Sequence, residues 1–247
     1  MDVANSIALV TGANGGLGQH YIEALRSRGV AKIYAGARNP KALESLVANH
    51  PDIVIPIALD ITDEESVDRA AAQCPDVTLL INNAGVGFDR GLIAAPDLSG
   101  ARMEIDVNYF GTLMMCRAFS SVLKRNGGGA IINMVSILAQ VNLPFNGSYC
   151  SSKAATLSLT QGVRAELAAQ GTLVIAVLPG TIDIGMGKFS PAPKVSPEEV
   201  VSDAIQAAID NIEEVYPGEQ AKQMAAQLLS DPKSLEKALA NMLPSST

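Results

Sequence analysis

Histidine, cysteine and positive charge are all scarce in this chain of 247 residues, and each scarcity excludes something. With only His20 and His50, far apart, a zinc centre has too few ligands, and both read as surface or packing residues. Cys74, Cys116 and Cys150 form no close-spaced set, and an odd count suits a reducing compartment rather than a disulfide framework. Lysine and arginine number 18 against 25 acids, a net charge of −7, which argues against the basic patch that nucleic acid or an anionic membrane requires. No apolar run approaches the roughly 18 residues of a membrane span. The start, Met1-Asp2-Val3-Ala4-Asn5-Ser6, is polar and slightly acidic, unlike a signal peptide. These absences predict a cytoplasmic, metal-free protein with neither nucleic acid nor membrane as partner.

What the chain does have is apolar mass, 48% of residues, in an alternating pattern. Short runs rich in Val, Ile and Leu fall at Ser6–Val10, Lys32–Ala37, Ile53–Leu59, Val77–Ile81, Ala130–Val135 and Leu173–Leu178. They are apolar almost throughout, as strands covered on both faces must be. Helical stretches separate them, such as Gly16–Gly29 and Glu64–Gln73, with Thr62 and Ser196 expected to cap the helices that open with Glu64-Glu65 and Glu198-Glu199. The longest helix runs from about Leu98 to Asn126, with Met103, Val107, Phe110 and Met114 at helical steps, until Gly127-Gly128-Gly129 stops it. Six such units predict an α/β fold, a doubly wound parallel sheet with helices on both faces. No composition break marks a second domain, and the stretch Phe189-Ser190-Pro191-Ala192-Pro193 is too short for a linker.

The first strand runs into Thr11-Gly12-Ala13-Asn14-Gly15-Gly16-Leu17-Gly18 and then a helix. Glycines there let backbone N–H groups approach a pyrophosphate at the helix N-terminus. The spacing fits both Thr-Gly-x-x-x-Gly-x-Gly and Thr-Gly-x-x-Gly-x-x-Gly. At the end of the second strand, Gly36-Ala37-Arg38-Asn39 offers no carboxylate for a ribose 2′-hydroxyl. A guanidinium can instead grip a 2′-phosphate, so Arg38, with Lys41 as a helper, predicts NADP(H) over NAD(H).

Tyr149-Cys150-Ser151-Ser152-Lys153 opens a helical segment and places phenol and ammonium on one face. A nearby cation lowers a phenol pKa from about 10 toward the working range of an acid–base group. Ser136 follows the strand Ala130–Val135, where such sheets place their ligands, and its hydroxyl suits charge developing on a carbonyl oxygen. Cys150 reads as a small residue on the helix rather than a redox switch.

Together these motifs resemble the classical branch of the short-chain dehydrogenase/reductase family, over about Ser6 to Ile184. The resemblance implies a single Rossmann-type domain over 1–247, with a cofactor-binding part to about 125 and a catalytic part and substrate loop beyond. It favours Gly12, Gly16 and Gly18 as the glycine pattern, with Asn14 and Leu17 beside them on the cofactor. It implies that Asp60 and Ile61 flank the adenine, that Asn82-Asn83-Ala84-Gly85 closes the fourth strand, and that Pro179, Gly180 and Ile182 border the nicotinamide. Asn108, Ser136, Tyr149 and Lys153 match the catalytic tetrad. Tyr149 would protonate the carbonyl oxygen, Ser136 would polarise it, Lys153 would tune Tyr149 and hold the nicotinamide ribose, and Asn108 would anchor a proton-relay water.

The family's frequent threonine four residues after the Pro-Gly glycine is Ile184 here, and no basic residue stands in the glycine turn. The tail offers a short strand at Glu214–Gly218 and two helices, Gln220–Leu229 and Ser234–Leu243, rather than the strand and glycine-rich segment of tetrameric members; a homodimer, a monomer and a tetramer stay open. Leu138, Gln140, Val141 and Phe145, with Ile182, Met186 and Phe189, predict an apolar pocket. The expected activity is hydride transfer between NADP(H) and an apolar ketone or aldehyde, or the alcohol in reverse. Imine or C=C reduction on the same site, or a non-catalytic NADP(H) sensor, are the alternatives.

Overall fold

Each of the six apolar runs forms a strand: β1 (Ile7–Thr11), β2 (Lys32–Ala37), β3 (Val54–Ala58), β4 (Leu79–Asn82), β5 (Gly129–Met134) and β6 (Thr172–Val177). The computed structural model describes residues 1–187 and 192–244. β7 (Thr181–Ile182) and β8 (Lys194–Val195) make a separate parallel pair, and β9 (Glu214–Val215) extends the main sheet. That sheet is parallel throughout, in the order β3-β2-β1-β4-β5-β6-β9.

Both faces are covered, which is why the strands read as unbroken apolar runs. On one face α1 (Gly16–Ser27) and α7 (Pro197–Asp210) press Tyr21, Ile22, Leu25, Val201 and Ile205 onto Ala8, Val10, Ile33 and Ile132. On the other, α3 (Glu64–Gln73), α5 (Thr112–Arg125) and α6 (Gly147–Leu167) press Val67, Met115, Phe119, Leu123 and Leu159 onto Leu9, Leu80 and Ile131. The short α2 (Glu44–Asn49) follows β2, and α4 (Ser99–Ile105) precedes α5. β3 is the edge strand, and its exposed Ile55 and Pro56 sit where a missing N–H costs nothing. The tail folds as α8 (Glu219–Ser230) and α9 (Pro232–Leu239). No helix among the described residues is long and apolar enough to cross a membrane.

Three expectations are corrected. The long helix is not uniform: a π-helical turn, Asp106–Gly111, separates α4 from α5. The stripe Met103, Val107, Phe110, Met114 therefore reaches the core only in part: Val107 and Met114 pack half-buried against it, Met103 and Phe110 are about half exposed, and Met115, Phe119 and Leu123 take the core. Thr62 does not cap α3. Asp63 does, accepting from the Glu65 N–H at 3.2 Å, while Thr62 turns back to Asp60. Ser196 caps α7 as expected, accepting from Glu199 N–H at 3.1 Å. Gly127, Gly128 and Gly129 all have positive φ, a run of left-handed backbone that ends α5 and that L side chains rarely adopt.

Where β1 is flanked by β2 on one side and β4 on the other, the winding reverses and the carboxyl ends of the strands open a crevice. The glycine turn fills its floor. A Cβ on Gly18 would lie 2.3 Å from the Gly12 carbonyl oxygen and 2.8 Å from Ala13 Cα, both rigid backbone. Gly18→Ala is therefore expected to cost about 1–3 kcal/mol, read as a lower urea midpoint with unchanged slope, because helix α1 must shift off the turn.

Candidate active site

The crevice continues into one cleft of about 1760 Å³ along the carboxyl ends of β1, β2, β4, β5 and β6. At its base the ends of β1 and β4 are tied together. Thr11 Oγ accepts from the N–H groups of Asn83 and Ala84, both at 3.0 Å, and Asn83 Nδ2 donates to the carbonyls of Thr11 at 2.8 Å and Gly12 at 3.3 Å. Gly12 has φ +64, and Ala84 Cα stands 3.0 Å from where its Cβ would be. The turn passes this close to β4 only because Gly12 has no side chain.

The first turn of α1 has no side-chain cap, so its N–H groups face the cleft, with Asn14, Gly16 and Leu17 on the cleft lining. Gly16 lies under Ile184, whose Cδ1 would be 3.2 Å from an added Cβ. This narrow floor with uncapped amides fits a pyrophosphate. Arg38 and Asp60 line the far end, where burial pushes the Asp60 carboxyl up but hydrogen bonds from Thr62 and the Arg38 charge hold it below its usual range. Ile61 is buried against Gly111, whose added Cβ would be 2.6 Å from Ile61 Cδ1. Lys41 does not join the cleft lining; its N–H is used in the Asn39-capped turn instead.

Ser136, Tyr149 and Lys153 meet at the end of β5, with Pro179, Gly180 and Ile182 on the opposite wall. Ser136 caps a short 3-10 turn, accepting from Leu138 N–H at 3.2 Å. Tyr149 and Lys153 lie one turn apart on α6, with the Lys153 ammonium 5.7 Å from the phenol ring centre. Burial pushes Tyr149 well above its ordinary value, a hydrogen bond with Ser136 opposes this, and the negative fields of Cys150, Glu104 and Asp89 add to the rise. The Lys153 proton is directed elsewhere, to the Met134 carbonyl at 2.8 Å, and burial lowers the lysine itself to about 8.

Asn108 sits in the π turn and acts as a tie. Its Nδ2 donates to Val86 O and Ser152 Oγ, both at 2.9 Å, and its Oδ1 accepts from Val86 N–H at 2.9 Å. Its backbone carbonyl takes the hydroxyls of Thr112 at 2.8 Å and Thr156 at 3.0 Å. The helix that carries Asn108, the loop after β4 and the Tyr149 helix are thereby locked together. A water anchored here is left the second lone pair of Oδ1.

Several residues at the site were not legible in the sequence. Glu104 is fully buried on α4; its Oε1 accepts from Phe88 N–H at 2.9 Å and its Oε2 has no partner among the described residues. Gln220 and Met224 of α8, and Leu239 and Met242 at the end of the tail, close the cleft, with Phe145 N–H donating to the Met242 carbonyl at 3.1 Å. No local pattern announces a wall made by residues so far along the chain from Ser136, Tyr149 and Lys153. Leu138 and Phe145 line the cleft as expected, but Gln140 and Val141 do not: Gln140 bonds the Tyr216 hydroxyl at 3.2 Å and Val141 is buried. Phe189 and the Met186 side chain lie outside the described residues. Cys150 accepts from Leu143 N–H at 3.3 Å, and burial pushes its thiol up, away from reactivity. His20 and His50 pair on the surface with Glu198 and Glu23.

A doubly wound sheet whose switch-point cleft holds uncapped helix amides at one end and a Ser-Tyr-Lys set at the other is the scaffold of a dinucleotide-dependent oxidoreductase. The family pattern of short chain dehydrogenases matches residues 6–194, and the chain belongs to that short-chain dehydrogenase/reductase family, in its classical branch. A short chain dehydrogenase from Burkholderia cenocepacia, solved in complex with NADP, superposes with a TM-score of 0.91 at 47% identity, covering 97% of this chain and 99% of that one. The chain is 34% identical to a sorbitol dehydrogenase of Cereibacter sphaeroides over 74% of this chain and 73% of that protein. It is 32% identical to a galactitol 2-dehydrogenase of Agrobacterium fabrum over the same shares.

The lysine carries a thermodynamic signature. Its folded pKa of about 8 lies below the ordinary 10.5, so between those pH values the unfolded chain holds a proton that the folded one has lost, and stability gains with rising pH. Urea melts of wild type and Lys153→Met from pH 7 to 10.5 should show wild type gaining on the variant across that window. A constant difference would mean that the lysine is not depressed.

Proposed function

We propose that the protein is an NADPH-dependent carbonyl reductase, acting in reverse on the alcohol, with an apolar ketone or aldehyde as substrate. The observation that carries this reading is the meeting of Ser136, Tyr149 and Lys153 at the end of β5, in the same cleft as the glycine turn. Bound NADPH supplies the hydride that reduces the carbonyl carbon. Tyr149 Oη donates the proton to the carbonyl oxygen, and burial favours the protonated phenol that this direction needs. Ser136 Oγ orients that oxygen and stabilises its developing charge. Lys153, whose ammonium donates to the Met134 carbonyl, would hold the nicotinamide ribose. Asn108 fixes the loop and helix that bear these groups, and its remaining Oδ1 lone pair holds the water that returns a proton to the site.

The amides of Gly16, Leu17 and Gly18 receive the pyrophosphate, with Gly12 and Asn14 shaping the turn, and Arg38 grips the 2′-phosphate. Asp60 and Ile61 would hold the adenine and Pro179, Gly180 and Ile182 the nicotinamide, with Asn83, Ala84 and Gly85 on the same cleft lining. The NADP complex of the Burkholderia relative supports the phosphate assignment, and the named activities of the two polyol dehydrogenases support alcohol and carbonyl chemistry. Leu138, Leu143, Phe145, Met224, Leu239 and Met242 support an apolar substrate.

Tyr149→Phe should lower turnover at least about a hundredfold while leaving the NADPH dissociation constant unchanged. A variant keeping about a tenth of the wild-type rate overturns the proton-donor role. Arg38→Ala should weaken NADPH about tenfold and NADH little, since a guanidinium–phosphate pair is charge-assisted and the hydroxyl it would face in NADH is not. Equal losses would place Arg38 outside the cofactor site. A panel of aryl ketones, aliphatic ketones and keto-sugars should rank in that order by kcat/KM; keto-sugars at the head would overturn the apolar pocket.

A further inference from the structure

The segment that follows β6 is a thin strand of backbone that crosses the cleft. Pro179 O accepts from Ile137 N–H at 3.0 Å, so the segment begins anchored to the turn that Ser136 caps. Thr181 and Ile182 pair with Lys194 and Val195, and Ile184 ends it over Gly16 of the glycine turn. The segment thus spans from the proposed reaction centre to the proposed pyrophosphate floor. Ile184 stands where related chains often place a threonine against the carboxamide, and its side chain offers no hydrogen bond. What fixes the middle of the segment comes from the tail. Gln220, in the first turn of α8, accepts from Thr181 N–H through Oε1 at 2.8 Å. The same side chain lies directly on Gly180: a Cβ there would come within 2.4 Å of Oε1 and 3.2 Å of Cδ. α8 itself is seated, with Ala221 fully buried and Gly218, at φ +83, packed against Val195 of β8.

We propose that Gln220 is a positioning residue for the nicotinamide half of the cofactor, holding the Gly180–Ile182 backbone in place through its Oε1 bond to Thr181 and its contact on Gly180. The inference rests on the dinucleotide reading of the cleft. It assigns to helix α8 a part in cofactor binding. A positioning bond of this kind acts on one end of a long ligand only, and that locality separates it from a general contribution to stability. Loss of a partly buried hydrogen bond at the segment should weaken whatever lies on it about tenfold.

Calorimetric titration of the whole protein tests this with NADPH and with 2′-phospho-ADP-ribose, which lacks the nicotinamide, and in parallel with NADH and ADP-ribose. Gln220→Leu, with Gln220→Ala as a second variant, should bind NADPH about tenfold more weakly and the nicotinamide-free fragment as wild type does. Gln220→Glu keeps the acceptor for Thr181 N–H and should restore NADPH affinity to within about twofold. Undiminished NADPH binding in the Leu and Ala variants overturns the proposal. So does equal weakening of both ligands, or a Glu variant as weak as Leu. A wild type that prefers NADH and ADP-ribose overturns the Arg38 assignment alone, and the same comparison then reads Gln220 on that pair. A wild type that binds none of the four overturns the dinucleotide reading, and the role of Gln220 with it.

Discussion

The cleft depends on one small set of hydrogen bonds, those between Thr11 and Asn83 at the carboxyl ends of β1 and β4. β1 and β4 lie at the switch point, where the chain winds away to opposite sides of the sheet and the crossover helices leave a gap. Thr11 Oγ accepts two backbone N–H groups of the loop after β4, and the Asn83 amide returns two bonds to the backbone of the glycine turn. Every group in this exchange is partly or wholly removed from solvent, so leaving one unpaired would incur its desolvation cost in full. The tie sets the height of the turn above the sheet, and with it the direction in which the amides of α1 point.

A second tie, at Asn108, does for the catalytic half what Thr11 and Asn83 do for the other. A π turn is an unusual backbone for a helix interior, and such turns are often found at functional sites. Here its role is geometric: the turn brings Asn108 between the loop after β4 and α6, and the side chain bonds both. Tyr149 and Lys153 are therefore held from behind, on a helix that has little freedom to move. Burial raises the phenol and depresses the ammonium, so both groups are biased toward neutral forms in the protein without ligand. An anionic dinucleotide entering beside Lys153 would favour its charged form, which links cofactor entry to the readiness of the site.

The tail adds a third constraint of a different kind. α8 and α9 contribute little to the main core, yet Gln220, Met224, Leu239 and Met242 all reach the cleft. The scaffold of sheet and crossover helices is thus separate from the wall that the tail adds to the cleft, and the wall can vary without disturbing the sheet. Glu104 stands between these layers: a buried carboxylate that holds Phe88 N–H on the cleft rim and adds its negative field to Tyr149.

By itself the sequence determined the sheet, the glycine turn and the Ser-Tyr-Lys set, because each is written in short-range pattern. Strands buried on both faces must be apolar without alternation; the spacing of Tyr149 and Lys153 is one helical turn; and the run Gly127–Gly129 can only be a stop. What required the tertiary structure has long sequence separation in common. The use of Thr11 and Asn83 as partners, the commitment of Asn108 to Val86 and Ser152, and the arrival of Gln220 at Thr181 join positions 22 to 72 residues apart. The π turn was equally hidden, since no residue in Asp106–Gly111 announces it. The pKa directions were decided there too. A lysine four residues from a tyrosine says nothing about dielectric, and it was burial, together with a carbonyl at the end of β5, that determined where the lysine proton points.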